Sequence, residues 1–252
     1  MLIVSASLKK SGTGWLYNML NDLLVAAGHE DSRALRDRYG LDDVVKGANC
    51  HAHPRWPLIR RVLPLLRRGE TLAVSTHSGP NPELLALMAL GLAKATYLYR
   101  DPRDAALSIL DHGERVRRVD ADWEELASLE GVEDAARYIA ALLPLYRRWS
   151  RVPGVLLLRY EDLLADTVGQ LRRLARHLGL AVPEPTLAEV AGRYAKSKVA
   201  GEYDETSWGP EWNRLHFNKG VAGRYAEELS AAELAVCERH FGPYLRRMGY
   251  AS

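Results

Sequence analysis

Near the start of the chain, Lys10-Ser11-Gly12-Thr13-Gly14 puts one ammonium, two hydroxyls and two glycines into five positions. That mixture suits an anion. Glycines let backbone N–H groups approach a phosphate or sulfate closely, the lysine supplies charge, and the hydroxyls add donors. A tight strand-to-helix turn with two surface lysines, Lys9 and Lys10, accounts for the same residues, and the loop alone leaves both readings open. The loop is not GxxxxGK[ST], because its lysine precedes its glycines, and it lacks GxGxxG. The usual nucleoside triphosphate and dinucleotide readings lose support.

The elements around the loop favour the anion. Leu2 to Ser7 form a short apolar, strand-like run, and from Leu16 the apolar residues recur as Leu16, Met19, Leu20, Leu23 and Leu24, which is helical spacing. A helix that begins at a glycine-containing loop directs its first N–H groups and its dipole at that loop. Further strands are expected at Thr71–Ser75, Ala95–Tyr99 and Val155–Leu158. The second is followed by the helix signal Asn81-Pro82, the third by Arg100-Asp101-Pro102-Arg103-Asp104, the fourth by Arg159-Tyr160-Glu161-Asp162. Strands alternating with helices imply a parallel sheet covered on both faces, with ligands beyond the carboxyl ends of the strands. Each polar cluster just named lies at such an end. Amphipathic spacing predicts helices over Asp134–Trp149, Thr167–Leu178 and Ser230–Met248. Gly28 to Gly69 reads as irregular, and 196–225, rich in Gly, Trp, Tyr, Asn and charge, reads as a lid or binding loop.

Composition bounds the rest. The 252 residues, 47% hydrophobic and 26% charged, suit one domain over 1–252 and exclude disorder, collagen and coiled coil. With 34 basic against 32 acidic residues, no nucleic-acid partner is expected, and an anion site must be a local arrangement. Cys50 and Cys237 cannot make a disulfide framework, and MLIVSASLKKSG has its apolar run before its lysines, the reverse of a secretory signal. No apolar run reaches the roughly 18 residues a membrane span needs. A cytoplasmic protein without a membrane span is expected. His51 and His53 beside Cys50 lack a second ligand cluster with standard spacing, so no metal is expected.

Several segments together resemble one family. Lys10-Ser11-Gly12-Thr13-Gly14-Trp15-Leu16 is similar to the Lys-Ser-Gly-Thr-x-Trp loop of sulfotransferases that use 3′-phosphoadenylyl sulfate (PAPS). Tyr99 to Ser108 resembles their Arg-x-Pro-x-Asp-x-x-x-Ser motif, with Arg100 and Ser108 at the family spacing. Phe217-Asn218-Lys219-Gly220-Val221-Ala222-Gly223 is similar to their late Arg-Lys-Gly-x-x-Gly segment, and Thr76-His77 to their Thr-His pair. Tyr160-Glu161-Asp162 and the closing helix also have counterparts, in the same order over nearly the whole chain.

The resemblance implies a three-layer, P-loop-like α/β fold: a central parallel sheet flanked by helices, with irregular lid segments. It implies a sulfuryl group passed from PAPS to a hydroxyl on a small-molecule acceptor, with adenosine 3′,5′-bisphosphate (PAP) released and no metal. His77 would be the base, Lys10 would neutralise the leaving oxygen, and Ser108 would contact both the 3′-phosphate and Lys10. Ser11, Gly12, Thr13 and Gly14 would hold the 5′ group, and Arg100, Ser108, Asn218, Lys219 and Gly220 the 3′-phosphate. Trp15 and Tyr160 would serve the adenine, although Trp15 also suits core packing, and Arg100 a salt bridge to Asp101 or Asp104. Three departures bear on donor affinity: Ser75 for a family lysine, Gly14 for a common threonine, and Asn218 for the arginine of Arg-Lys-Gly. The family's adenine aromatic near Ser197 and its dimerisation segment within Tyr225–Glu233 are not recognisable. Two rivals remain at this stage, an ATP- and Mg²⁺-dependent phosphotransferase on a related fold and a non-catalytic nucleotide-binding partner module. Arg115, Arg117 and Arg118 read as a solvated helix end that could meet an anionic acceptor, and Trp208 and Trp212 as acceptor contacts.

Overall fold

Continuous apolar runs such as Leu2-Ile3-Val4 belong in strands buried on both faces, and that is where the chain places them. The computed structural model describes residues 1–118, 124–195 and 220–250. In chain order its elements are β1 (Leu2–Ser7), α1 (Thr13–Ala26), α2 (Ser32–Arg38), β2 (Val45–Lys46), β3 (His51–Ala52), α3 (Trp56–Arg67), β4 (Leu72–Thr76), α4 (Pro82–Ala89), β5 (Ala93–Tyr99), α5 (Pro102–Arg118), α6 (Glu124–Ala127), α7 (Val132–Leu142), α8 (Pro144–Ser150), β6 (Val155–Arg159), α9 (Tyr160–Ala165), α10 (Thr167–Leu178), α11 (Glu184–Arg193), α12 (Tyr225–Glu228) and α13 (Ala231–Met248). They fall into two compact units.

The first unit takes in Met1–Leu8, Gly12–Tyr99 and Leu145–Ala195, and it holds the whole sheet. Strand order is β2-β3-β4-β1-β5-β6. All pairings are parallel except β2 with β3, which is antiparallel, so the sheet is mainly parallel, in keeping with the central parallel sheet expected, with one short antiparallel strand at its edge. Two-residue strands carry too little pattern to reveal a direction. β1 is the middle strand: the chain goes from it to β4 on one side and later to β5 on the other. The carboxyl end of β1 is therefore a topological switch point, the usual ligand position in such sheets. Every residue of β1 and β4 is buried, and α1 buries Leu16, Met19, Leu20, Leu23 and Leu24.

Two expectations about elements need correcting. Gly28–Gly69 is ordered into α2, β2, β3 and α3. Pro54 precedes α3 and Pro57 stands in its first turn, where the missing N–H costs nothing, while Pro64 is accommodated inside the helix near its end. Asp134–Trp149 is two helices, α7 and α8. Pro144 supplies no N–H to continue the ladder and its ring crowds the carbonyl four residues back, so the break falls there.

The second unit takes in Lys9–Ser11 and the described residues of Arg100–Pro144 and 196–252. α5 packs on α7, α7 on α13, and α6 and α12 on α5. The interior is built from Ala135, Ala136 and Ile139 of α7 with Cys237, Phe241 and Leu245 of α13. Of the expected lid, only 220–225 is among the described residues; Trp208, Trp212, Asn218 and Lys219 lie outside them. No described helix is long and apolar enough to cross a membrane. α13 starts with a capping box in which Ser230 and Glu233 satisfy each other's backbone N–H groups. Ser230→Ala should cost about 1 kcal/mol of stability, read as a lower urea midpoint at unchanged slope.

Candidate active site

In the first unit the start of α1 is an anion cradle by construction. Its N-cap is Gly12 at φ +86°, a left-handed conformation that disfavours any side chain, and among the described residues no side chain caps the helix. The first-turn N–H groups at Thr13, Gly14 and Trp15 thus have no side-chain acceptor, which is what an anion needs. A Cβ on Gly12 would also meet the Tyr160 ring at 3.0 Å. Tyr160 is buried and meets Trp15 edge to face, ring centroids 5.8 Å apart. Trp15 Nε1 donates to the Tyr194 carbonyl at 3.1 Å, which fixes the partly exposed indole. Gly12, Trp15 and Tyr160 are thereby brought together as one wall.

His77 follows directly on β4. Its Nδ1 lies 3.1 Å from the Ser7 carbonyl oxygen, which can only accept, so Nδ1 carries the proton and the imidazole lone pair is on Nε2. That is the tautomer a general base requires. Ser7 Oγ lies 3.3 Å from the same Nδ1 and 2.6 Å from Thr13 Oγ1. Ser7, the last residue of β1, therefore links the base to the first helical residue of the cradle, a role with no local signal in the sequence. The Thr13 hydroxyl is engaged inward with Ser7. His51 and His77 rings lie 5.5 Å apart, and no group of three or more metal-ligating residues occurs among the described residues.

In the second unit, Lys10, Arg100 and the 220–225 segment come together. Lys10 sits at φ +65°, a left-handed conformation uncommon outside glycine. Its ammonium is pushed down to about 7, chiefly by loss of water, then by the positive charge of Arg115, with Asp111 opposing and Arg100 adding to the fall. Arg100 is buried; Nη1 donates to the Lys10 carbonyl at 3.3 Å and Nη2 to the Val221 carbonyl at 2.7 Å. Asp101, one of its two candidate partners, pairs instead with Arg103 at 2.7 Å. Asp104 is the other, and its contact with Arg100 is long, 3.4 Å.

Asp104 was the less conspicuous half of that pair, yet it organises the unit. Wholly buried, it accepts from the backbone N–H of Gly223 at 2.7 Å and of Tyr225 at 3.1 Å. Arg103 lies over the Tyr225 ring, 3.6 Å from its centroid, and Arg224 pairs with Asp111 and Glu228, each at 2.8 Å. These contacts hold 220–225 against α5, and Gly220, at φ +59°, opens the held segment. Ser108 is buried on α5, one helical turn past Asp104. The Ser11 hydroxyl is fully buried with no hydrogen-bond partner among the described residues. Arg115 is half-buried on α5, whereas Arg117 and Arg118 are the solvated helix end that was expected.

A sulfotransferase-domain family model matches residues 2–249, and the chain belongs to that family. Among solved structures it is similar to retinol dehydratase in complex with androsterone and the inactive cofactor PAP, at 20% identity and a TM-score of 0.62, over 97% of this chain and 80% of that one. A second complex of retinol dehydratase, with retinol and PAP, matches at 19% identity and 0.62, over 97% and 81%. A mouse sulfotransferase complexed with PAP matches at 17% and 0.58, over 97% and 84%. At these identities the likeness shows the fold, a P-loop-like α/β sheet flanked by helices. Comparison with curated protein sequences returns no match.

Removing the Asp104 carboxylate would take a buried counter-charge from beside Arg100 and the acceptor from two backbone N–H groups. Asp104→Ala should therefore lower stability by about 3–5 kcal/mol in urea unfolding. A loss under about 1 kcal/mol would mean that 220–225 is held by other contacts.

Proposed function

We propose that this sulfotransferase takes its sulfuryl group from PAPS and gives it to a hydroxyl of a small-molecule acceptor by direct in-line displacement. The observation that carries the reading is the grouping of Lys10 with Arg100, whose Nη1 donates to the Lys10 carbonyl, in a chain that matches the sulfotransferase-domain model over residues 2–249. An ammonium held near pKa 7 among Arg100 and Arg115, with Asp111 as the opposing charge, is poorly served until an anion arrives. The residues suit a donor with two anionic ends. Uncapped N–H groups at the start of α1 fit a 5′ group; in the second unit the Ser11 hydroxyl, without a hydrogen-bond partner among the described residues, is a further donor. Arg100 offers the planar fork that recognises a phosphate. Its contact with Asp104 is 3.4 Å, and that carboxylate also accepts from two backbone N–H groups.

In this reading, His77 Nε2 accepts the acceptor's proton as the new O–S bond forms, with Nδ1 anchored on Ser7. Lys10, protonated, faces the charge that develops on the oxygen leaving sulfur, and the cations then retain PAP until it is released. This is electrostatic stabilisation by groups already in place, and no covalent bond to the protein forms. Ser108 and the segment containing Asn218, Lys219 and Gly220 would complete the 3′-phosphate site. The likeness to proteins crystallised with PAP, androsterone and retinol adds support for a nucleotide donor and a small acceptor.

His77→Ala should lower transfer from PAPS at least about 100-fold while PAP affinity stays within about two-fold. Near-normal turnover in that variant would remove His77 from the role of base.

Lys10 gives a second expectation. In the free protein it is half ionised near pH 7, and a bound bisphosphate favours the charged form. Above pH 7 binding must then take up a proton, so PAP affinity should fall as pH rises from 7 to 9, by up to about ten-fold per unit. Calorimetry across that range checks it; an affinity that is flat or rises would contradict the assignment.

A further inference from the structure

The loop motif that this chain resembles has a threonine where Gly14 stands, which at first sight deletes a donor from the 5′ site. The structure supplies a reason for the glycine. A Cβ at Gly14 would lie 2.7 Å from Asn49 Nδ2, 3.5 Å from its Cγ and 3.6 Å from its Oδ1. The Asn49 carboxamide thus occupies the volume in which a threonine side chain would begin. It stands at the second residue of α1, beside first-turn N–H groups that no side chain caps. Gly14 itself has no left-handed backbone that would require glycine, so the space for Asn49 is what its missing side chain provides.

The segment bearing Asn49 is held in place. The Cys50 N–H donates to the Gly47 carbonyl at 3.1 Å, closing a turn around Asn49, and the Cys50 carbonyl accepts from the Ser75 N–H at 3.1 Å, tying that turn to β4. Cys50 adopts φ +43°, a left-handed conformation that a residue with a Cβ rarely takes without compensation. Asn49 Oδ1 is buried with no hydrogen-bond partner among the described residues. The residue as a whole is half-buried, so part of it stays open to solvent beside Gly14.

We propose that Asn49 is a donor-binding residue of this chain, its side-chain N–H taking over at the 5′ group the work of the hydroxyl that Gly14 lacks. The proposal rests on PAPS being the donor, and it deepens that reading at one subsite. Asn49 and Gly14 act as a pair: a side chain at position 14 would have to displace the carboxamide from its present position.

The test compares PAP with adenosine 3′-monophosphate, which has the same base, ribose and 3′-phosphate but no 5′ group. Asn49→Ala should weaken PAP about ten-fold, the size of one hydrogen bond to a charged group, and leave the monophosphate within about two-fold. Asn49→Asp keeps the packing against Gly14 but replaces the donor by an anion, and should weaken PAP at least as much. Adding Gly14→Thr to Asn49→Ala should restore PAP affinity to within about three-fold of the parent. Unchanged PAP affinity in both single variants would overturn the proposal. Equal losses for PAP and the monophosphate would also overturn it, since they would mean a general structural effect. A parent chain that binds neither ligand would instead overturn the donor reading, and this proposal with it.

Discussion

Concentrating cations where water is scarce is costly, and the candidate site depends on how the chain manages this cost. Asp104 is central to it. One buried carboxylate anchors the backbone at Gly223 and Tyr225 and stands beside Arg100 without closing on it. A tighter ion pair would reduce the charge that Arg100 presents, and loss of the carboxylate would remove a buried counter-charge. Dividing the carboxylate between backbone donors and the guanidinium avoids both. Lys10 meets the same constraint differently: burial and neighbouring cations lower its pKa to about 7. It can therefore lose its charge while the site is empty.

The first unit solves a complementary problem, that of presenting neutral donors and a base in fixed orientation. α1 starts at Gly12 with no side-chain cap, because a cap would compete with an anion for the same N–H groups. Tyr160 and Trp15 wall the glycine, and Trp15 is held by Tyr194. His77 is oriented by a carbonyl, an acceptor that cannot donate back, so its tautomer is set by the backbone of β1. β1 thus contributes twice, through Ser7 to the base and through the switch point at its end to the cradle.

Much of this was legible in the sequence, and the parts that were share a property. Lys10–Trp15 and Arg100–Ser108 each lie within one strand–loop–helix passage, where spacing along the chain is spacing in the site. α10 was legible to the residue, because Thr167–Leu178 is strongly amphipathic and ends at Gly179 in a left-handed cap. Contacts between distant segments were not legible. The backbone partners of Asp104 lie 119 and 121 residues away, and nothing near Asp104 announces them. Ser7 reads as the last residue of an apolar strand until His77 is seen beside it. The Gly28–Gly69 stretch was read as irregular because β2 and β3 have two residues each and α2 only seven, too short for periodicity to register, and because Pro57 and Pro64 disguise the twelve-residue α3. Asn49 lies there, and its relation to Gly14 is a matter of shape alone.

The central claim is that the cations and uncapped amides answer to a nucleotide with phosphates at both its 3′ and 5′ positions. Calorimetric titration of the purified protein with PAP, against ATP with Mg²⁺ as comparison, tests it most directly. The account predicts saturable binding of PAP and little response to ATP. Binding of ATP–Mg²⁺ with none of PAP would contradict it and turn the site towards phosphoryl transfer.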